Sequence, residues 1–353
     1  MSSQTYSLHQ LGWQPSFAEQ LTLDDFEAGY PARVVAIHRN GLAVLSSRGA
    51  AVITPPRHLA GTDRRGLAVG DWVLIEQDAD RVLRLLERRS LLARMAAGDD
   101  GRMQSIAANL DSLFVVTSCN DDFNPSRLER YLALAWEAGV EPVVLLTKAD
   151  LAADPAPYLD TVHGIAPGMP VLAIDATSSA CIALLSPWLD DGQTVAFVGS
   201  SGVGKSTLTN TLLGASARLT AGIREDDARG RHTTTARQMF PLPTGAWLID
   251  TPGMRELRIG AAAAGVQATF EDIEALAAAC RFRDCGHAHE AGCAVAAAIA
   301  DGRLDARRLA NYRKLQREAE QAARSLREQR ERSRQFGAMA RSAMRAKRER
   351  QGR

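Results

Sequence analysis

Residues 194–213 read TVAFVGSSGVGKSTLTNTLL, and this stretch decides the fold class. It opens on an apolar run typical of a buried strand and closes on a helix-forming run that ends before Gly214. The residues between the two runs match the eight-position pattern GxxxxGKS. A strand, a glycine-rich loop and a helix in this order predict an α/β domain of the P-loop type.

The loop predicts contacts to phosphate groups. Its glycines let backbone N–H groups wrap around phosphate oxygens, and the positive end of the following helix favours negative charge. We expect Lys205 to reach the β- and γ-phosphates and Ser206 to ligate Mg²⁺. The predicted nucleotide-binding residues of this loop are Gly199, Ser200, Ser201, Gly202, Val203, Gly204, Lys205, Ser206 and Thr207.

A second motif, Asp250-Thr251-Pro252-Gly253, follows the apolar run 246–249. A carboxylate at this strand end can hold Mg²⁺ through water, so Asp250 is a predicted magnesium residue. The Gly253 amide is expected to meet the γ-phosphate. ATP-type P-loop proteins seldom carry this string here, which favours a GTPase over the ATP-using alternative.

A guanine-recognition motif, Thr147-Lys148-Ala149-Asp150, ends the apolar run 143–146. Ligands bind at the carboxyl ends of strands in open α/β sheets, where Asp150 would stand. Its carboxylate can accept hydrogen bonds from N1–H and the 2-amino group of guanine, each contributing about 1.5–3 kcal/mol. Two such bonds would favour guanine over adenine by roughly 10²–10⁴-fold.

The order of the motifs is the reverse of the usual one. The guanine-recognition motif comes about fifty residues before the phosphate loop, and no second Asn/Thr-Lys-x-Asp string follows Gly253. This order predicts a circularly permuted GTPase domain. The backbone of Ala176, in the string Asp175-Ala176-Thr177, is expected to make the last guanine contact.

The cysteines give an independent signal. Cys280, Cys285, His287 and Cys293 lie within fourteen residues, and such a set fits a closed tetrahedral Cys₃His site for one structural zinc ion. His289 is a competing ligand. Cys119 and Cys181 lie in or beside apolar stretches and are expected to be core residues. With five cysteines in all, the count predicts a reducing compartment rather than a disulfide framework.

With these motifs, the chain resembles the circularly permuted bacterial ribosome small-subunit-dependent GTPase A family. Asn109-Leu110-Asp111 and the string GRHTTT at 230–235 match the family as well, and the resemblance spans most of the chain. The family spacing favours His287 over His289 as the zinc ligand. Thr147 departs from the more usual Asn, at a cost of about 1 kcal/mol in nucleotide affinity.

The resemblance implies hydrolysis of GTP to GDP and phosphate. A switch segment, 219–235, would order around Mg²⁺, which Thr233 or Thr234 would ligate together with Ser206 and Asp250. Met254 stands where many GTPases place a water-orienting Gln, so the resemblance makes His232 the candidate catalytic residue beside Lys205 and Gly253. The alternative role of His232 is a contact to ribosomal RNA.

Four regions are predicted along the chain. Residues 1–30 form a helical lead-in, and 31–95 form an OB-like β-barrel from five short apolar runs, with an SH3-like barrel as the alternative. A mobile linker at 96–105 precedes the permuted GTPase domain, 106–260. Residues 261–353 form a helical zinc-binding domain that ends in a basic helix. The fold class is therefore multi-domain.

Charge is distributed unevenly. Residues 303–353 contain 17 Lys and Arg against 6 Asp and Glu, while the remainder contains 25 against 35. A basic tail on an acidic body predicts a nucleic-acid contact surface. No apolar run reaches the roughly 18–20 residues needed to span a bilayer, and no signal-peptide pattern is expected at the start.

The resemblance names the partner as the small (30S) ribosomal subunit and its 16S rRNA. The protein would be a cytoplasmic monomer that assists late assembly of that subunit, docking with GTP and leaving with GDP. Two alternatives remain: a permuted GTPase acting on the large subunit, and a zinc-stabilised RNA-binding module with little turnover.

Overall fold

The computed structural model describes residues 5–38, 41–55, 66–95, 103–214, 237–250, 260, 262–288 and 290–351. Its amino-terminal part is a barrel of five strands: β1 (Gly29–His38), β2 (Gly41–Ser46), β3 (Gly49–Ile53), β4 (Trp72–Glu76) and β5 (Val82–Leu85). Strand β1 pairs with both β2 and β4, β2 pairs with β3, and β4 pairs with β5. A bridge between Thr54 and Arg81 links the end of β3 to the start of β5. This order is that of an OB-like barrel rather than of a simple meander.

Two short helices, α1 (Pro15–Ala18) and α2 (Leu23–Ala28), precede the barrel, as the sequence predicts. Trp13 and Phe17 pack against Trp72 of β4, with ring centroids 4.7 and 5.9 Å away. Helix α2 begins at a capping box in which the side chains of Thr22 and Asp25 bond each other's backbone N–H groups.

The predicted linker is partly wrong. Strand β6 (Leu91–Met95) pairs with β7 (Met103–Ala108) in a separate antiparallel hairpin, so residues 103–105 belong to a strand. Met103, Ser105 and Ile106 are buried there. Burial of these side chains overrides the turn-like composition that suggested a linker. The remaining linker residues, 96–102, lie outside the described ranges.

The central part alternates strands and helices. Its elements are β8 (Ser112–Ser118), α3 (Pro125–Ala138), β9 (Glu141–Thr147), α4 (Ala156–Ile165), β10 (Val171–Ala173), α5 (Ala180–Leu185), β11 (Thr194–Gly199), α6 (Lys205–Leu213), β12 (Gln238–Pro241) and β13 (Trp247–Asp250). The sheet order is β10-β9-β8-β11-β13-β12, and all of these strands except β12 run parallel. Strands β9, β11 and β13 confirm the apolar runs that the sequence analysis placed at 143–146, at the start of 194–213 and at 246–249, with bounds that differ by one or two residues.

Both faces of this sheet are covered, which explains its continuous apolar runs. Successive side chains of a strand point to opposite faces. Alternate residues of β8 and β9 accordingly belong to two different cores: Leu113, Val115, Val144 and Leu146 to one, and Phe114, Val116, Val143 and Leu145 to the other. Such burial on both sides is typical of parallel sheets.

The barrel and the central sheet are joined through a buried cation. Ala36 of β1 pairs with Gln238 of β12, so the strands of both parts form one sheet. Beside this seam, the buried Arg33 donates to the carbonyl oxygens of Leu11 and Gly70, and to that of Asn109 at 3.2 Å. Burial lowers the pKa of Arg33 to about 10, so it stays protonated at neutral pH.

The motif Asn109-Leu110-Asp111 lies at the same junction. The Asn109 amide donates to the carbonyl oxygen of Gly70 at 3.0 Å and accepts from the backbone N–H of Arg89 at 2.9 Å. One Asp111 oxygen accepts from the backbone N–H of Thr194 at 2.8 Å, at the start of β11. This motif therefore holds the central sheet against the barrel.

The carboxyl-terminal part is helical: α7 (Ala263–Thr269), α8 (Glu271–Ala278), α9 (Ala294–Ala300) and the long α10 (Ala306–Gln351). Its attachment centres on Glu129 of α3, whose carboxylate is fully buried. Arg307 and Arg308 of α10 donate to it at 3.0–3.1 Å, and Asn311 adds a bond at 2.5 Å. Within the described ranges, no helix has the length and apolar character to cross a membrane.

We expect the variant Glu129→Gln to destabilise the protein by about 3 kcal/mol, near the lower end of the cost of breaking a buried ion pair, because Arg308 keeps its second partner Asp272. The matched control, Asp301→Asn, breaks the exposed pair with Arg303 and should cost less than about 1 kcal/mol. Urea unfolding measures both variants. Equal stability of the two would contradict this role of Glu129.

Candidate functional site

The predicted site residues converge on one edge of the central sheet. Strands β8, β9, β10, β11 and β13 are parallel, so their carboxyl ends share that edge. The guanine-recognition motif continues from the end of β9, the phosphate loop from the end of β11, and Asp250 is the last residue of β13. Strand β8 lies between β9 and β11, where the direction of the strand order changes, and such a point is where α/β sheets bind ligands.

The phosphate loop turns tightly between β11 and α6. Gly199 has φ 149°, and a Cβ there would lie 2.1 Å from the carbonyl oxygen of Val116 in β8. Gly204, the residue before α6, has φ 95°. Both positions therefore require glycine. The loop brings successive backbone N–H groups to the positive end of α6, an arrangement that can bind an anion.

Lys205, the first residue of α6, folds back over the loop. Its Nζ donates to the carbonyl oxygens of Gly199, at 2.8 Å, and Ser200. The ammonium group is thus held at the loop by weak neutral acceptors, which phosphate oxygens can replace with stronger charge-assisted bonds. Ser206, the next residue, is exposed at the start of α6.

Thr147 connects the predicted guanine-recognition motif, residues 147–150, to the phosphate loop. It is fully buried, and its Oγ1 lies 2.6 Å from the carbonyl oxygen of Val203 and 3.1 Å from that of Thr117. One hydroxyl hydrogen serves both acceptors, with the shorter contact to the phosphate loop. Thr147 therefore contacts the phosphate loop at a position where Asn is more usual.

The rest of the base-recognition motif is more exposed. Lys148 has φ 57° and turns the chain out of β9, and Asp150 is exposed to solvent. The backbone N–H of Ala149 donates to the carbonyl oxygen of Ile174 at 3.3 Å, which joins this loop to the next one along the edge. The Asp150 carboxylate is thus accessible to a ligand.

The loop 175–177 is held on two sides. The Thr177 side chain and backbone N–H donate to Asp175 at 2.7 and 2.8 Å, and these bonds hold the pKa of Asp175 below its usual value. Thr211 of α6 donates to the carbonyl oxygen of Ala176 at 2.7 Å. The phosphate-loop helix therefore fixes the loop predicted to make the last base contact.

Sequence reasoning missed two supporting residues. Thr211 was one, because its bond to Ala176 joins positions 35 residues apart. The other is Tyr131 of α3, which forms a hydrogen bond with Ser200 of the phosphate loop. Burial raises the pKa of Tyr131, and this hydrogen bond opposes the rise. Neither residue belongs to a motif, so nothing in the string of letters marks it.

Several predicted residues lie outside the described ranges. These are the candidate catalytic residues His232 and Gly253 and the candidate magnesium ligands Thr233 and Thr234, together with the switch segment 219–235 and Met254. Of the predicted magnesium residues, two lie in the described ranges. Ser206 is the second residue of α6, and Asp250 is the last residue of β13.

The predicted metal ligands come together between α8 and α9. The sulfurs of Cys280, Cys285 and Cys293 and a ring nitrogen of His287 all lie within 4.8 Å of one another. Nδ1 of His287 is 3.6 Å from the sulfurs of Cys280 and Cys293, which are 3.9 Å apart. A tetrahedral ion with Zn–S bonds of about 2.3 Å has S–S edges of about 3.8 Å. The separations among Cys280, His287 and Cys293 fit such an ion, and Cys285 lies close enough to be its fourth ligand.

The electrostatics of this cluster also suit a cation. Desolvation opposes ionisation of Cys280, yet backbone N–H groups of Val295 and Ala294 hold the pKa of its thiol below the usual value. Desolvation and the neighbouring thiols raise the pKa of Cys285 to about 11. Three such close sulfurs cannot all become thiolates unless a positive ion neutralises them. The other two cysteines, Cys119 and Cys181, are buried core thiols, as predicted.

Two family models match the chain. One, described as RsgA GTPase, covers residues 85–260, and the other, described as 50S ribosome-binding GTPase, covers residues 194–328. Among solved structures, YjeQ from Thermotoga maritima has a TM-score of 0.61 at 24% identity and covers 82% of this chain and 98% of its own. YloQ, a circularly permuted GTPase, has a TM-score of 0.58 at 22% identity, over 83% and 96%. These likenesses confirm the permuted fold.

Curated relatives are much closer in sequence. "Small ribosomal subunit biogenesis GTPase RsgA 2" of Vibrio vulnificus is 52% identical over 341 residues, 96% of each chain. "Small ribosomal subunit biogenesis GTPase RsgA" of Mesorhizobium japonicum is 47% identical over 313 residues, 88% of this chain and 89% of its own. Identity of this degree over nearly the whole length leaves one assignment: the chain belongs to the RsgA GTPase family.

Proposed function

We propose that this protein hydrolyses GTP to GDP and phosphate, that the small ribosomal subunit stimulates this reaction, and that it assists late assembly of that subunit. The observation that carries the proposal is the bond from Thr147 to the phosphate loop, because this contact supports one site formed by the proposed guanine-recognition motif and the proposed phosphate-binding loop. The relatives whose names describe small ribosomal subunit biogenesis support the choice of partner.

The proposed roles follow from position along the shared edge. The N–H groups of residues 199–207 bind the phosphates, and Lys205 neutralises the charge that develops between the β- and γ-phosphates during hydrolysis. Ser206 and Asp250 hold Mg²⁺. Asp150 reads guanine, beside the backbone of Ala176. The remaining proposed roles come from the sequence alone. Gly253 contacts the γ-phosphate, Thr233 or Thr234 ligates Mg²⁺, and His232 orients the attacking water.

We assign the Cys₃His cluster to one structural zinc ion. The donor set is saturated by four protein ligands, which leaves no position for substrate. Its role is to hold the connection between α8 and α9, and so to fix the carboxyl-terminal helices that Glu129 anchors to the central sheet. Mg²⁺, in contrast, would arrive with GTP.

The partner is proposed to be 16S rRNA within the small subunit. The basic surplus of residues 303–353 suits contact to phosphate groups, and α10 carries most of that stretch. We further propose that the protein is a cytoplasmic monomer. Intrinsic turnover should be slow, and a partner that orders the switch segment should accelerate it.

One observation favours a second candidate, a permuted GTPase that acts on the large subunit. The description of the second family model refers to binding the 50S ribosome. Both kinds of GTPase share the permuted order of motifs, so that order does not distinguish them. We use the OB-like barrel ahead of the central sheet and the Cys₃His cluster behind it to distinguish them, and both features favour the small subunit.

The proposed function predicts how turnover depends on ribosomal subunits. The purified protein alone should hydrolyse GTP at roughly 10⁻⁴ s⁻¹, and small subunits should raise this rate by at least about tenfold. Lys205→Ala should remove the stimulated rate, and excess ATP should not compete. Single-turnover hydrolysis with purified small or large subunits measures these rates. Equal stimulation by large subunits, or fast turnover without any subunit, would contradict the proposal.

Zinc binding is tested by removing one ligand. The intact protein should contain about one zinc per chain, and Cys285→Ser should lose it, because three ligands no longer close a tetrahedral site. The matched control is Cys119→Ser, a buried thiol outside the cluster. Atomic emission spectroscopy gives the metal content, and limited proteolysis reports whether the helices after α8 remain folded. Full zinc content in Cys285→Ser would show that the cluster is not the zinc site.

A further inference from the structure

The loop between the first two sulfur ligands presents an exposed aromatic ring. Phe282 is 46% exposed, and its neighbours Arg281, Arg283 and Asp284 are exposed as well. In the described part of the chain, other large apolar side chains also reach the surface, but Phe282 is the one flanked by arginines on both sides. Single exposed apolar side chains are common on protein surfaces, and what distinguishes this ring is the pair of arginines that flanks it.

The backbone of this loop is fixed. The N–H of Arg281 donates to the carbonyl oxygen of Gly292 at 3.1 Å, and the N–H of Cys285 donates to that of Phe282 at 3.3 Å. The stem of Arg281 lies so close to Gly292 that a Cβ there would be 3.1 Å from the Cβ of Arg281. Because this backbone is already ordered, a ligand that covers the ring does not have to order the loop, so binding is weakened less by the loss of conformational freedom.

Positive charge lies beside the ring and on the helix that contacts the residues after it. The guanidinium carbon of Arg281 lies 5.4 Å from the centroid of the Phe282 ring. Arg313 of α10 donates to the carbonyl oxygen of Gly286 in the same loop, and Arg317 follows one helical turn later. The nearby carboxylates are those of Asp284 and of Glu290, and Glu290 already accepts from the N–H groups of Gly286 and Ala288.

We propose that this loop binds single-stranded RNA, with one unstacked base on the Phe282 ring and the flanking phosphates at Arg281 and Arg283. Single-stranded segments expose the faces of their bases, and proteins bind them by stacking on aromatic and guanidinium groups. A duplex would contact the arginines through its phosphates but would not stack a base on the ring. An apolar protein surface would cover the ring but would not pair with the arginines. The combination selects single-stranded RNA.

This proposal rests on the proposed function for the choice of RNA over single-stranded DNA. It adds that the RNA is single-stranded and that Phe282 stacks on one of its bases. The ring lies between the predicted metal ligands Cys280 and Cys285, and Phe282 is not among the residues proposed to bind GTP. Substitutions of Phe282 should therefore leave the basal hydrolysis of GTP unchanged.

The test measures binding of a fluorescein-labelled oligoadenylate of about ten nucleotides to the full-length, zinc-loaded protein by fluorescence anisotropy. Phe282→Ala should weaken binding by about 5- to 100-fold, the effect of losing one stacked base. Phe282→Leu should weaken it equally, because leucine keeps apolar area but has no flat π face. Phe282→Tyr should bind like the unaltered protein. Arg283→Gln should reduce the slope of log affinity against log salt by about 0.7.

The matched control is Leu184→Ala, which removes a side chain of similar exposure (49%) from α5 and should change nothing. A blunt RNA duplex should bind all Phe282 variants alike. Zinc content and basal hydrolysis are measured for each protein, so a misfolded variant is recognised. Unchanged oligoadenylate binding by Phe282→Ala, or retained binding by Phe282→Leu, would overturn the stacking site.

Failure of the inference and failure of the proposed function give different results. If small subunits do not stimulate the unaltered protein but Phe282→Ala still loses oligoadenylate, the stacking site stands and the ribosomal role falls. If stimulation is normal and Phe282→Ala binds oligoadenylate fully, the ribosomal role stands and the stacking site falls.

Discussion

The shared edge of five parallel strands is the constraint on which the rest of the molecule depends. Connections between strands can be cut and rejoined without moving that edge, so a base-recognition motif can precede the phosphate loop in sequence and still lie beside it. The Thr147 hydroxyl, 2.6 Å from the carbonyl oxygen of Val203, is the direct link between the two loops. Circular permutation therefore changes the order of the motifs and preserves the site.

Permutation also changes what can be attached to the site. Here the barrel enters through β1, which pairs with β12, and the buried Arg33 satisfies three carbonyl oxygens at that seam. The carboxyl-terminal helices, which carry the Cys₃His cluster, attach to α3 through the buried Glu129. Buried charges with this many partners are costly to break, so both additions are held rigidly to the nucleotide-binding sheet.

Much of the fold could be predicted, because its motifs have fixed spacing and a physical reason for each residue. The GxxxxGKS loop, the parallel strands and the Cys₃His cluster follow from local strings of letters. The contacts that join these parts could not be predicted. Glu129 meets Arg307 and Arg308 across nearly 180 residues of sequence. His287 presents Nδ1 to two of the sulfurs, and residues 103–105 pair with β6 in a hairpin that buries Met103 and Ser105.

We propose that Asp150, at the shared edge, reads guanine. The affinities of Asp150→Asn for GDP and for xanthosine diphosphate test it most directly, because an amide can donate to the 2-oxo group of xanthine and accept from its N1–H. The account predicts that this variant loses roughly 10²–10⁴-fold in GDP affinity and gains xanthosine diphosphate binding, while the control Asp160→Asn on α4 changes neither. Unchanged GDP binding by Asp150→Asn would contradict the account.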